Sequence, residues 1–318
     1  MKSSEIVKKA LHKADVALYP VDGRKDKVVI TMSGSEGGLE HAGKLAGFLQ
    51  DNGIPALALG YFKTKHSVKS LNKIELENVK AAIGWLKELG YEKIGIEGGS
   101  KGAEYAAAAA VEFHELSCVI LKIPSWFYGE GMSGTKPSGV SSWSYEGKEI
   151  PFTPYKTRKL PVVQEMLKNK EYNILAINTG KKVVPDSIIP IEKIEAPVLM
   201  FSTEVDTIWP SKESCEKLEE RLNVKDFAYP HKHICFEHMS HMMLENCGAA
   251  IKYFIKSEKQ FPQECAKERV VMGQEHMTAL LSCGGFLYLH FYFKNNNKSA
   301  DVLTRLHFRG YYLQLFAV

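Results

Sequence analysis

From Lys27 onward, short apolar runs alternate with longer stretches whose apolar residues recur at helical spacing. Val28-Val29-Ile30-Thr31-Met32 is short and β-branched, and Gly34-Ser35-Glu36-Gly37-Gly38 follows it as a turn-rich loop. Leu39 to Asn52 reads as a helix that Gly53 closes. Ile54 to Leu59 is the next expected strand. Glu75 to Leu89 then places Val79, Ile83, Trp85 and Leu86 toward one helical face, and Gly90 stops it. Ile94-Gly95-Ile96 predicts a third strand that runs directly into glycines. The alanine-rich run from Ala103 to Val111 is a strong helix former, and Cys118 to Leu121 is a fourth strand. This alternation predicts an α/β fold, with a mostly parallel sheet, right-handed crossovers and helices on both faces.

Between Pro124 and about Lys170 the pattern breaks down. Trp126, Phe127, Tyr128, Trp143 and Tyr145 stand there among many Gly, Ser and Pro residues. Such an insertion after a central strand suits a cap over a pocket, although any one of these aromatics fits a plain surface excursion equally well. Regularity returns with a strand over Pro197–Phe201 and a helix over Ser211–Leu222. A shorter strand is expected near Phe227-Ala228-Tyr229, and a helix over Cys247–Ile255. There are no internal repeats. Beyond about Gly273 the alternation is lost, and Asn295-Asn296-Asn297 reads as a loop. The expected organisation is a catalytic domain over residues 1–273, with a cap at about 124–170, and an atypical tail over 274–318.

Composition changes this picture little. An apolar fraction of 45% and a charged fraction of 25% over 318 residues describe an ordinary globular chain. The net charge of +4 comes from scattered basic residues, so a nucleic-acid partner is not expected. The Lys63, Lys65 and Lys69 patch reads first as a solvated loop and second as a contact for an anionic substrate group. The six cysteines form no C-x-x-C pair, which argues against a disulfide scaffold or a zinc ribbon. The N-terminus leads into a lysine-rich amphipathic stretch without a signal-peptide core, so a reducing cytoplasm is the default expectation. Met277 to Phe293 is nearly uncharged, but it is short for a membrane span and is interrupted by Gly284-Gly285 and His290.

The chemistry concentrates at Gly98-Gly99-Ser100-Lys101-Gly102. This matches the G-x-S-x-G nucleophile elbow of the α/β-hydrolase fold, with a strand before it and a helix after. The chain must reverse sharply there to lift the Ser100 hydroxyl above the sheet, and side chains at positions 98 and 102 would collide with backbone. The helix that follows aims its amides at a developing oxyanion, so the Lys101 N–H is one expected donor. The second is the N–H of Ser35 or Glu36, in the loop after the first strand. Serine needs a base and an orienting carboxylate, and in this fold the chain order is Ser, acid, His. Asp206, on the loop after Phe201, is the favoured acid, with Glu204 the alternative. Four histidines follow, His231, His233, His238 and His241. His241 is the favoured base and His238 the runner-up. Their H-x-H and H-x-x-H spacings also permit metal ligation, but no acidic motif accompanies them, and neither metal nor organic cofactor is expected.

At these residues the chain resembles the catalytic domain shared by acyl-CoA thioesterases and bile acid-CoA:amino acid N-acyltransferase, within the dienelactone-hydrolase-like group. The matching stretches are Ser33–Glu40, Ile74–Glu77, Gly99–Glu104, Phe201–Asp206 and Ser257–Cys265, within about residues 10 to 270. The resemblance implies Ser100, Asp206 and His241 as a triad acting on a small acyl thioester or ester through an acyl-serine intermediate. The amino-acid-conjugating relative uses cysteine where this chain has Ser100, which favours water as acceptor. The longer relatives carry an N-terminal β-sandwich for which this chain leaves no room, and the sequence from about Val271 departs from theirs. A carboxylesterase or lactone hydrolase is the second reading, and a catalytically silent acyl-binding protein the third. Acyl-chain length and oligomeric state are left open.

Overall fold

The computed structural model describes residues 5–157, 164, 167–168, 170–171, 173–243 and 255–282. The strands are β1 (Val7–Leu11), β2 (Ala14–Tyr19), β3 (Lys27–Met32), β4 (Ala56–Gly60), β5 (Ile74–Glu75), β6 (Lys93–Gly99) and β7 (Leu116–Lys122). They continue with β8 (Glu130–Ser133), β9 (Lys136–Ser141), β10 (Trp143–Tyr145), β11 (Lys148–Glu149), β12 (Val198–Thr203) and β13 (His231–Phe236). The helices are α1 (Glu40–Asp51), α2 (Glu77–Glu88), α3 (Lys101–Glu112), α4 (Leu175–Asn178), α5 (Ser211–Val224), α6 (Lys256–Gln260) and α7 (Pro262–Ser282).

The main sheet has the order β1-β2-β4-β3-β6-β7-β12-β13. From β4 to β13 its neighbours are parallel, and β2 and β1 extend it antiparallel. Each central strand divides its side chains between two apolar layers, as period-two geometry requires. Val28, Ile30, Leu57, Leu59, Ile94 and Ile96 face Val79 and Leu86 of α2, Ala106 of α3 and Leu218 of α5. Val29, Ala56, Ala58, Ile120 and Phe201 face Ala46 and Leu49 of α1 and Met272 and Leu280 of α7. Full burial of each Leu or Phe is worth about 1.5–3 kcal/mol, so the two layers clamp the sheet and fix its upper edge.

Three features differ from the sequence expectation. The lysine-rich N-terminal stretch is the β1–β2 hairpin. Nearly all of β1 is exposed, so it shows no buried face, and its lysines discourage pairing at a free sheet edge. The strand expected near Phe227–Tyr229 is a bend, and the last strand begins at His231. As an edge strand, β13 is only partly covered and carries His231, Lys232 and His233, so its apolar alternation is weak. Finally, α7 passes through Gly273 to Ser282, with Met272, His276 and Leu280 buried on one face.

The insertion after β7 is anchored in the body. β10 pairs with β5, and the fully buried Trp143 stacks on Tyr105 of α3 at 4.8 Å. Among the described residues no helix is long and apolar enough to cross a membrane. The expected helix from Cys247, the asparagine loop and the part of Met277–Phe293 beyond Ser282 lie outside the described residues. Cys215, Cys235 and Cys265 are free thiols, whereas Cys118 is disulfide-bonded, a pairing that sequence spacing did not signal.

Candidate active site

Four loops leave the C-terminal ends of β3, β6, β12 and β13, where open parallel sheets place their sites. At the end of β6 the backbone of Ser100 adopts φ 57° and ψ −122° before α3 begins. A non-glycine residue held there costs about 1–3 kcal/mol, and the surroundings enforce it. The Ser100 N–H donates to the Lys122 carbonyl at 2.9 Å, and its own carbonyl accepts from Ala103 at 3.0 Å. The flanking glycines are required sterically: a Cβ at Gly98 would lie 2.2 Å from the Gly102 carbonyl oxygen, and one at Gly102 would lie 2.2 Å from that of Ser33.

The structure brings Ser100, Asp206 and His241 together. His241 Nε2 lies 3.0 Å from Ser100 Oγ, and Nδ1 lies 2.8 and 2.9 Å from the two Asp206 carboxylate oxygens. With Nδ1–H donating to the carboxylate, Nε2 is left as the acceptor for the serine hydroxyl. Asp206 is itself held by its loop, accepting from the Ile208 N–H at 2.8 Å and the Trp209 N–H at 3.2 Å. Both His241 and Asp206 are buried. The Thr203 hydroxyl donates to the Met239 carbonyl and so ties the acid loop to the histidine loop. Trp209 was not singled out from sequence, because nothing local marks it. Its indole N–H donates to the Ile123 carbonyl at 3.0 Å, and its ring packs edge-on against His241 at 5.1 Å.

The other candidates stand elsewhere. Glu204 is exposed and pairs with Lys212 at 2.5 Å. His238 binds Glu268 of α7 at 2.9 Å and packs on Phe261. His233 meets Ser202 at 2.7 Å and His231 meets Asn223 at 3.0 Å, so the four histidines go to separate partners. Among the described residues no group of three or more His, Cys, Asp or Glu is arranged to hold a metal.

The loop after β3 lies against the elbow. A Cβ at Gly34 would stand 3.3 Å from that of Ser100. Tyr61 pins this loop from below, its hydroxyl 2.7 Å from the Ser33 carbonyl and 3.1 Å from that of Gly34. Burial raises the Tyr61 phenol well above its ordinary value, so it stays a neutral donor. The Glu36 carboxylate turns back to accept from the Gly34 N–H at 2.9 Å. Among the described residues the amides of Ser35, Glu36 and Lys101 donate to no loop or turn carbonyl.

A family model described as BAAT / acyl-CoA thioester hydrolase C terminal matches residues 74–249, more than half of the chain. The chain belongs to this family. No curated protein sequence matches it significantly. Among solved structures it is similar to a Pyrococcus furiosus esterase, with TM-score 0.52, 16% identity and coverage of 87% of this chain and 92% of the other. It is also similar to a dienelactone-hydrolase-like promiscuous phosphotriesterase from metagenomic libraries, with TM-score 0.53, 11% identity and coverage of 88% and 99%. An esterase/lipase from an uncultured bacterium gives TM-score 0.53 and 12% identity, with coverage of 89% and 88%. At such identities these likenesses establish the architecture, that of the α/β hydrolases. Family and architecture together make the chain a hydrolase of the thioester/ester type.

Proposed function

We propose that this family member is a serine hydrolase that cleaves acyl thioesters through an acyl-serine intermediate. The observation that carries this reading is the continuous path from Asp206 through His241 to a Ser100 hydroxyl held at positive φ. Ser100 Oγ attacks the acyl carbonyl carbon while His241 Nε2 takes its proton. Asp206 holds the imidazole in the tautomer that leaves Nε2 free and stabilises the imidazolium that forms. The carbonyl oxygen, now an oxyanion, receives the Lys101 N–H from the start of α3 and one N–H from Ser35 or Glu36. When the tetrahedral species collapses, the carbon–sulfur bond breaks and His241 returns its proton to the leaving thiol. A water molecule then gives a proton to His241 and attacks the acyl-serine, and the second collapse releases the carboxylic acid with Ser100 regenerated.

Labelling by a fluorophosphonate probe, together with hydrolysis of acyl-CoA and 4-nitrophenyl ester panels, tests this reading. Ser100→Ala is expected to abolish labelling and to lower turnover by about a thousandfold or more, with the fold retained. Near-normal turnover by this variant rules out Ser100 as nucleophile. A purified wild-type chain that takes up no probe and cleaves no substrate is a silent binding protein. Preference for oxygen esters over thioesters moves the reading to a carboxylesterase or lactone hydrolase.

A further inference from the structure

Two non-glycine residues with positive φ stand at the ends of neighbouring strands. Ser100 follows β6 with φ 57°, and Ile123 follows β7 with φ 49°. Ile123 is the more strained of the two, because a β-branched side chain crowds the backbone in this region. It is also buried. Its N–H donates to the Phe201 carbonyl of β12 at 2.7 Å, and its carbonyl accepts the Trp209 indole N–H at 3.0 Å. The preceding carbonyl, that of Lys122, accepts the Ser100 N–H at 2.9 Å. Two consecutive carbonyls at the end of β7 therefore hold the nucleophile turn and Trp209.

Trp209 is fixed at a second point. Its backbone N–H donates to Asp206 Oδ1 at 3.2 Å, and the following Pro210 disfavours a helical backbone at this residue. Its ring meets the His241 imidazole at 5.1 Å with the planes 86° apart. Asp206 grips that imidazole at Nδ1 only, at 2.8 and 2.9 Å. A ring gripped at one nitrogen can still tilt, and a tilt carries the far nitrogen, Nε2, away from Ser100 Oγ. A perpendicular ring packed against the imidazole blocks that movement. Trp209 supplies such a ring, and it cannot swing with His241 because its own N–H is tied to β7.

We propose that Trp209 is the positioning residue for the base, fixing the tilt of the His241 ring, and that the left-handed backbone of Ile123 fixes Trp209. The end of β7 then sets the separation of nucleophile and base, through Lys122 on one side and through Ile123 and Trp209 on the other. This rests on the proposed roles of Ser100 and His241, so one arm of its test needs no turnover.

In the first arm, kcat, KM and the rate of fluorophosphonate labelling are measured for the wild type, Trp209→Ala and Trp209→Phe, each below its melting temperature. Trp209→Ala removes both ring and anchor. Because a misplacement of about 1 Å costs about a hundredfold, it is expected to lower kcat and labelling by about thirtyfold or more, with KM changed by less than about threefold. Trp209→Phe keeps a ring against the imidazole but offers Ile123 no N–H, and it is expected to lose about fivefold. Wild-type kcat and labelling in Trp209→Ala overturn the proposal. So does a raised KM with kcat and labelling unchanged, which makes Trp209 a wall for the substrate. Trp209→Phe indistinguishable from the wild type overturns the anchor to Ile123.

In the second arm, the Nδ1 proton of His241 is followed by NMR and assigned by its loss in His241→Ala. In the wild type it is expected as one low-field resonance, held between the imidazole and Asp206. In Trp209→Ala it should broaden or vanish through exchange with water. Its absence from the wild type, or its unchanged exchange in Trp209→Ala, overturns the proposal. Ser100-dependent hydrolysis that ignores Trp209 removes the positioning role alone. Absence of Ser100-dependent hydrolysis and labelling removes the serine-hydrolase reading, and the proton resonance still decides whether Trp209 holds His241.

Discussion

His238 and His241 are near neighbours in one loop, and each holds a carboxylate through Nδ1 at almost the same distance. The first lies 2.9 Å from Glu268 and the second 2.8 Å from Asp206. Their surroundings separate them. Nε2 of His241 meets the Ser100 hydroxyl at 3.0 Å, while the ring of His238 packs on Phe261. Their carboxylates differ too. Asp206 is held by its own loop, whereas Glu268 accepts from the amides of Glu237, His238 and Met239 and so docks α7 against the histidine loop. A histidine–carboxylate pair is thus compatible with either catalysis or architecture. What faces the second ring nitrogen decides which.

The sharpest way to break the comparison is to remove each histidine. His241→Ala and Asp206→Asn should each lower turnover by about a thousandfold or more, with little change in melting temperature. His238→Ala and Glu268→Gln should keep most of the turnover but melt earlier. Glu268 is a charged acceptor for three backbone N–H groups, and weakening it costs about 1–3 kcal/mol. Steady-state hydrolysis and thermal melts on the same four proteins separate the two roles. If His238→Ala loses turnover and His241→Ala does not, the assignment of base is reversed.

Shortening the chain to Gly273 extends the comparison to the helix that Glu268 docks. The cut removes His276 and Leu280, both buried, and uncovers the layer around Phe201 and Ile120. Loss of the Leu280 contacts alone is worth about 1.5–3 kcal/mol, so early melting or aggregation is the expected result. A shortened chain that melts and turns over like the full one would show that the end of α7 does not stabilise the body.

A smaller effect comes from a third pair. On the face of the sheet that α7 covers, Glu97 of β6 bonds His276 and lies 3.7 Å from Lys122 Nζ. Burial alone would raise the Glu97 carboxyl. The interactions with His276 and Lys122 outweigh it and hold the group below its ordinary value. A depressed carboxylate stabilises the fold fully above its unfolded value, roughly pH 4.3, and that contribution disappears as pH falls through the lower folded value. Melting temperature should therefore drop below about pH 4 more steeply in the wild type than in Glu97→Gln. Parallel curves for the two proteins would remove Glu97 from the acid limb.

Much of this was legible in the sequence because the signals are local. Continuous apolar runs at Val28–Met32 and Val198–Phe201, the alanine-rich α3 and the glycines that end helices follow from backbone and burial preferences acting over a few residues. The elbow is local as well, since Gly98, Ser100 and Gly102 meet a steric demand within one turn. Chain order then narrowed the acid to Asp206 or Glu204 and the base to His241 or His238.

The sequence favoured Asp206 and His241, and the tertiary structure places these two, rather than Glu204 and His238, beside Ser100. The choice depends on which side chain reaches Ser100 across a large sequence separation, and no local pattern encodes that reach. The same holds for the β1–β2 edge hairpin, whose exposed outer strand shows no buried face, and for β13, whose partial cover leaves its histidines without a clear alternation. The packing of Trp209 against His241 likewise joins two loops that no local pattern connects. The sequence by itself determined the central strands and helices, their order and the glycine turn at Ser100, because those arise from neighbours along the chain. Packing determined the partners, because the energy of a buried charge or hydroxyl depends on what surrounds it in space.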